Sequence, residues 1–400
     1  MTISSLTLAT RLIGQSSVSS ESSRPIADDV SNLLADAGFR ITQYVYKTKE
    51  AVKGEKNKKV EVEKVNVFAV KGGDGQPALA LSGHLDTMPY SEDGWNTDPL
   101  VLTERSGLLY GRGACDMKGF VALAMSVGMS IPAHELKRPF GLILTSDEEV
   151  GCVGVRRIVE QRRADKLEPI AKNIVIGEPT NLQPFILHKG YIYIRVLLRG
   201  KAGHSSEPHK GLNPVERAVP DVLWRINQLK ESLGQIRDAR YEVPFASLNV
   251  GVITTGEEAK KNTIPQVCTI ELDVRTLQGQ DPHEIVQALR KHIAPDGSID
   301  GIAVEVQLVR APTPPFETAP DAPLVTNLVD IFGKQPASTS FNTEGGILNS
   351  AGCTCVVCGL GSIEQAHKKN EYVAAEFFSQ KVSDGYERLV RRFCCSEVEP

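Results

Sequence analysis

Apolar positions along the chain follow two styles. Short unbroken runs recur early, as ALALSG (78–83), PFGLILTS (139–146) and NIVIG (173–177), and TCVVCG (354–359) repeats the style near the end. Runs of that length, rich in branched residues, suit strands covered on both faces. Helical periodicity fills the gaps between the first three, at 117–130 and 152–161. This alternation predicts an α/β layered sheet. Helices are also expected over 5–14 and from Ile26 to Ala37, the second stopping at Gly38, with a Ser-rich loop at 15–24 between them.

After Lys189 the pattern changes. GYIYIRVLLRGKAGHS, SLNVGVITTG, CTIELDVRT and IAVEVQLV alternate apolar with polar positions. Such strands expose one face. PVERAVPDVLWRINQLKESL and DPHEIVQALRKHI read as helices. Four half-exposed strands and two helices predict a separate α+β unit. It would span 189–311, inserted in an α/β domain formed by 1–188 and 312–400. PTPPF at 312–316 marks the return linker, and a closing helix is expected at about 374–393. Residues 47–64, KTKEAVKGEKNKKVEVEK, are lysine-rich and hydrophilic, and are expected to form an exposed hairpin or loop extension.

Composition narrows the picture. A chain of 400 residues exceeds one ordinary core, which agrees with two domains. Apolar residues at 41% and charged residues at 24% describe a globular protein. A formal net charge of -4 argues against nucleic acid as a partner. Eight cysteines scattered through a long chain read as reduced thiols, so a cytoplasmic location is expected. The N-terminal MTISSLTLATRLIG lacks a basic region and reads as an amphipathic helix rather than an export signal. No apolar run reaches bilayer length, and no membrane partner is expected.

The residues with chemistry to offer stand where predicted strands end. His84 and Asp86 follow ALALSG, Glu148 and Glu149 follow GLILTS, Glu178 follows NIVIG, and His367 lies shortly after TCVVCG. Asp116 precedes a predicted helix in GRGACDMKGF. Open α/β sheets bind ligands at the carboxyl ends of their strands, so one edge could gather these residues. Imidazoles and carboxylates together suit a borderline cation such as zinc, and a pair of ions needs a bridging carboxylate. Asp86, two residues beyond His84, would share its face and could accept the second imidazole N–H. The alternative for any one acid is a solvated loop carboxylate, and the gaps are too long for spacing alone to assemble the set.

SGHLDTMP (82–89), GRGACDMKG (111–119), TSDEEVGCVG (145–154), GEPT (177–180), GKAGHSSEP (200–208) and GSIEQAH (361–367) together resemble the superfamily of zinc aminoacylases, carboxypeptidases and desuccinylases. They occur in that superfamily's order and cover nearly the whole chain. NTEGG (342–346) and GLGSIEQAHKKNEYV (359–373) resemble its acetylornithine deacetylase branch most. The resemblance implies a mixed central sheet, an inserted lid and dimerisation domain, two zinc ions (cobalt being a substitute), and a homodimer. It implies hydrolysis of the amide of an N-acyl amino acid, with N-acetylcitrulline or a succinyl-diaminopimelate-type substrate as alternatives to N2-acetylornithine. His84 and Glu178 would hold one zinc, Glu149 and His367 the other, and Asp116 would bridge them. Glu148 would be the general base and Asp86 the orienting carboxylate. A non-proline cis peptide is implied after Asp116. His204 would stabilise the oxyanion in the partner subunit's site, while Asn262, Arg275 and Glu344 would contact substrate. Cys353, Cys355 and Cys358 raise the alternative of a structural zinc, but a closed site wants four ligands. Packed thiols in a buried strand are expected instead.

Overall fold

The computed structural model describes residues 3–51, 59–91, 93–256 and 261–396. Residues 52–58 of the lysine-rich extension therefore lie outside the described residues. The chain forms two compact units, one of Met1–Ile186, Glu317–Ala337 and Thr343–Pro400, the other of Leu187–Phe316 and Ser338–Asn342. The return falls later than PTPPF because Thr313 still exchanges backbone hydrogen bonds with Tyr191 of the second unit. Segment 338–342, expected with the first unit, goes with the second, where Asn342 Oδ1 accepts from Arg275 at 3.0 Å.

The first unit is built on a nine-stranded mixed sheet. Leu79–His84 lies between Phe140–Thr145 and Asn173–Pro179, parallel to both, and Thr354–Gly359 runs parallel to Asn173–Pro179. Every residue of Leu79–His84 and of Phe140–Thr145 is buried, which is why their apolar runs are unbroken. The helix Lys118–Ser130 is nearly all buried, and Phe120 packs edge-on to Tyr386, with centroids 5.5 Å apart. Gly177 is needed here, because a Cβ would lie 1.8 Å from the Phe120 ring.

Arg40–Ala51 and Lys59–Lys71 pair antiparallel, and Lys59–Lys71 then pairs with Phe140–Thr145. The described residues of the polar extension, 47–51 and 59–64, thus belong to the outer part of an antiparallel strand pair in the main sheet. Lys47 meets Glu61 at 3.1 Å on its exposed part. The last lysine of the extension departs from the expectation of exposure. Lys64 is 1% exposed, because Asp147 supplies a buried partner.

Among the described residues, the main sheet of the second unit has five strands in place of the four expected, since the short Ser298–Ile299 adds to the edge at Ile302–Leu308. Gly190–Arg199 and Val267–Thr276 alternate buried and half-buried residues along the two central strands. The helix expected over 214–233 is divided into Pro214–Arg217 and Val219–Gln235, with Pro220 in the first turn of the second piece. The closing helix begins late, at Gln380–Val390, after a single 3₁₀ turn at Ala375–Phe378, and ends in a π turn at Arg391–Cys395. Among the described residues no helix is long and apolar enough to cross a membrane. Cys353, Cys355 and Cys358 are free and buried, and no metal-holding group among the described residues includes them.

Candidate metal centre

The parallel strands end at one edge and deliver their polar residues there. His84 is the last residue of Leu79–His84, and Glu178 is the sixth of Asn173–Pro179. Glu148 and Glu149 sit in the turn after Phe140–Thr145. Asp116 precedes the Lys118–Ser130 helix, and the peptide bond after it is cis. His367 follows Thr354–Gly359 with φ of 63°.

The five expected ligands converge. His84 Nε2 lies 3.0 Å from Asp116 Oδ1 and 3.8 Å from Glu178 Oε1. His367 Nε2 lies 3.3 Å from Asp116 Oδ2 and 2.8 Å from Glu149 Oε2. Asp116 therefore turns one oxygen to each imidazole. Atoms bound tetrahedrally to one ion at ~2.0–2.1 Å stand roughly 3.3 Å apart, the range seen here. Ligand atoms of His84, Glu148 and Glu178 lie close enough together to share an ion, as do those of His84, Asp116 and Glu149; both sets use His84, so they are alternative groupings within one cluster rather than two separate sites. Donor chemistry and geometry thus fit divalent cations.

Charge points the same way. Burial, together with Asp116, holds the Glu178 carboxyl well above its ordinary range. Burial pushes Glu148 up to about 8 and raises Glu149. Burial by itself would lower the His84 pKa, but Asp116, Glu178 and Asp86 carry it well above the usual value. Asp116 and Glu149 raise His367 to about 10. Carboxylates collected in this way are costly unless a cation compensates them.

Asp86 is placed differently from expectation. His84 Nδ1 contacts the Asp86 backbone oxygen at 2.8 Å, while the nearer carboxylate oxygen is 3.7 Å away. The carboxylate instead accepts from Glu148 N at 3.2 Å, Glu149 N at 3.3 Å and Ser19 Oγ at 2.8 Å. It fixes the turn carrying the acid pair.

His204 and Asn262 are neighbours in the second unit. Gly203–His204 pairs with Thr263–Ile264, and Ser205 N donates to the Asn262 oxygen at 3.0 Å. Both are exposed, and His204 Nδ1 is hydrogen-bonded to Ser206 Oγ at 2.6 Å and accepts from Ser206 N at 3.2 Å. Arg275 stacks over Tyr191 at 4.4 Å and is held by Asp273 through two bonds, of 2.8 and 3.0 Å. Glu344 is 1% exposed in the first unit, as His84 is, with its carboxyl pushed to about 7 by burial, and its charge is among those that raise Glu148.

Several positioning groups were not singled out in the sequence. Glu371, buried, accepts from Arg112 Nη1 at 2.8 Å and from the N–H groups of Gly113, Cys115 and Asp116 at 3.1, 2.9 and 3.0 Å. It thereby holds the backbone leading into Asp116. Cys152 donates to Glu148 Oε1 at 3.2 Å. Glu371 lies four residues after His367 in a quoted segment, but an acid in a hydrophilic stretch gives no sign of burial.

The Peptidase family M20/M25/M40 model matches residues 80–391. The acetylornithine deacetylase of Myxococcus xanthus is 36% identical over 373 residues, covering 92% of each chain. An M20 family metallo-carboxypeptidase from Sulfolobus solfataricus shares the fold with a TM-score of 0.69 at 19% identity, covering 96% of this chain and 98% of that one. A dinuclear metal-binding M20 peptidase from Bacillus subtilis superposes with a TM-score of 0.62 at 16% identity over 96% of each chain.

Proposed function

The chain belongs to peptidase family M20/M25/M40, and from that premise we propose that it removes the acetyl group from N2-acetyl-L-ornithine with two zinc ions, a step of arginine biosynthesis. As a member it is a metal-dependent hydrolase. The substrate reading is supported by the 36% identity to an acetylornithine deacetylase along 92% of both chains. The two-ion reading is carried by one observation: Asp116 offers Oδ1 to His84 at 3.0 Å and Oδ2 to His367 at 3.3 Å.

In this reading His84 and Glu178 hold one zinc, Glu149 and His367 the other, and Asp116 bridges. Ions held there would acidify a shared water and polarise the amide carbonyl. Glu148 takes the water's proton and passes it to the leaving amine. Asp86 keeps the Glu148 and Glu149 backbone fixed while this happens. Arg275 and Asn262 receive the substrate carboxylate, for which Arg275 must exchange part of its pairing with Asp273. The enzyme is cytoplasmic and a homodimer, and His204 reaches the partner's site to stabilise the oxyanion. The dimer is supported by the edge strand Ser247–Thr254, which leaves Val252 and Ile253 exposed at 43% and 48%. Such an edge invites pairing.

Assay of the purified protein on N2-acetyl-L-ornithine, N2-acetyl-L-citrulline and N-succinyl-LL-diaminopimelate tests the substrate. The highest kcat/KM is expected for acetylornithine. A preference for either other compound overturns that choice.

A further inference from the structure

The turn bearing Glu148 and Glu149 is gripped by the strand Lys59–Lys71. Lys64 Nζ donates to Asp147 Oδ1 at 2.8 Å and to the Ser19 carbonyl, and both side chains of the ion pair are 1% exposed. Asp147 Oδ2 accepts the Tyr46 hydroxyl at 3.0 Å. Ser19 Oγ donates to Asp86, which in turn accepts the Glu148 and Glu149 N–H groups. The hydrogen bonds thus close a ring from Lys64 through Ser19 and Asp86 to the acid pair, and back through Asp147. The next two residues of the strand reinforce it. The Val65 oxygen accepts Ser146 Oγ at 2.9 Å, and the Asn66 side chain takes Ser146 N at 2.9 Å and donates to the Gly154 oxygen at 3.1 Å. Asp147 itself adopts φ of 59°, a conformation that non-glycine residues keep when something holds them.

A buried ion pair is a poor device for stability alone, since apolar replacements of similar volume often serve equally well. What apolar residues cannot supply is direction. We infer that Lys64, Asp147 and Tyr46 are positioning residues that set how Glu148 and Glu149 leave the turn. The ion pair anchors the residue before the pair, while Asp86 anchors the pair's own N–H groups. The inference rests on the reading that Glu148 and Glu149 carry the chemistry.

The test compares Tyr46→Phe and the double variant Lys64→Met/Asp147→Asn with wild type. Asn tolerates the left-handed backbone, so backbone strain is not the variable. Leu328→Ala, a buried helix residue of the same unit, supplies a destabilised control. Three quantities are read: kcat and KM on N2-acetyl-L-ornithine, zinc affinity by chelator competition, and Tm. For the double variant kcat is expected to fall about 10–100-fold at nearly constant KM, with a loss of zinc affinity of about tenfold at one of the two sites. Tyr46→Phe is expected to shift both in the same direction by less, and it decides the question if the double variant does not fold. Leu328→Ala should lose Tm while keeping kcat. The inference is overturned if the variants keep kcat within about twofold and zinc affinity unchanged, or if Leu328→Ala reproduces the kcat loss at equal Tm. If the wild type cleaves no N-acyl amino acid, the functional reading fails, yet the zinc arm still decides whether the network places Glu149.

Discussion

Glu371→Gln should damage the site without removing any expected metal ligand. The carboxylate of Glu371 accepts four donors: Arg112 Nη1 and the N–H groups of Gly113, Cys115 and Asp116. Two carboxylate oxygens offer about four lone-pair positions, whereas the amide oxygen of Gln offers two and its NH₂ is itself a donor. At least two donors therefore lose their acceptor. Each buried donor left unsatisfied costs about 1–3 kcal/mol, so the substitution should cost roughly 2–6 kcal/mol. That is a large share of a typical total of about 5–15 kcal/mol. Because Asp116 N is among the donors, the bridge should also shift, and zinc affinity should fall about 10–100-fold. Urea unfolding of the zinc-saturated protein, with chelator competition on the same samples, measures both. A stability loss under about 1 kcal/mol with zinc held as tightly as in wild type would refute the reasoning.

Zinc binding should release protons. Asp116 and Glu149 raise metal-free His367 to about 10, so at pH 8 it is protonated, and a metal takes neutral imidazole. Release of at least one proton per chain is expected at pH 8, declining as pH passes about 10; calorimetry in buffers of different ionisation enthalpy measures it, and zero release at pH 8 contradicts the assignment. Mixing His204→Ala subunits with Glu148→Gln subunits should restore activity toward half of wild type per heterodimer, because one site then lacks both groups and the other has both. No recovery after proven subunit exchange excludes a shared site.

The parallel strands were legible because burial on both faces leaves an unbroken apolar run, as in ALALSG and GLILTS. The convergence of His84, Asp116, Glu149, Glu178 and His367 was legible through motif order, since nothing in their spacing draws them together. The inner half of the Lys59–Lys71 strand was hidden. KVEVEK alternates charge with valine and reads as solvated, yet its final lysine is buried because Asp147, 83 residues away, neutralises it. Glu371 was hidden for the same reason, since its donors lie more than 250 residues earlier. The three-stranded sheet of Thr103–Arg105, Leu108–Tyr110 and Tyr372–Ala374 is built from segments too short to carry a period. Arg275 was legible as a guanidinium on a half-exposed strand, but its pairing with Asp273 was not read, although alternation puts the two on one face.

The central claim is that two metal ions and Glu148 together cleave the amide. Zinc content and turnover of N2-acetyl-L-ornithine, measured on the same preparation of Glu148→Gln, test it most directly. An amide cannot accept the water's proton, and Glu148 is not among the five expected ligands. The account predicts two zinc ions per chain and a kcat lower by about 10²–10⁴-fold. A variant that holds two zinc ions and turns over near the wild-type rate would contradict it.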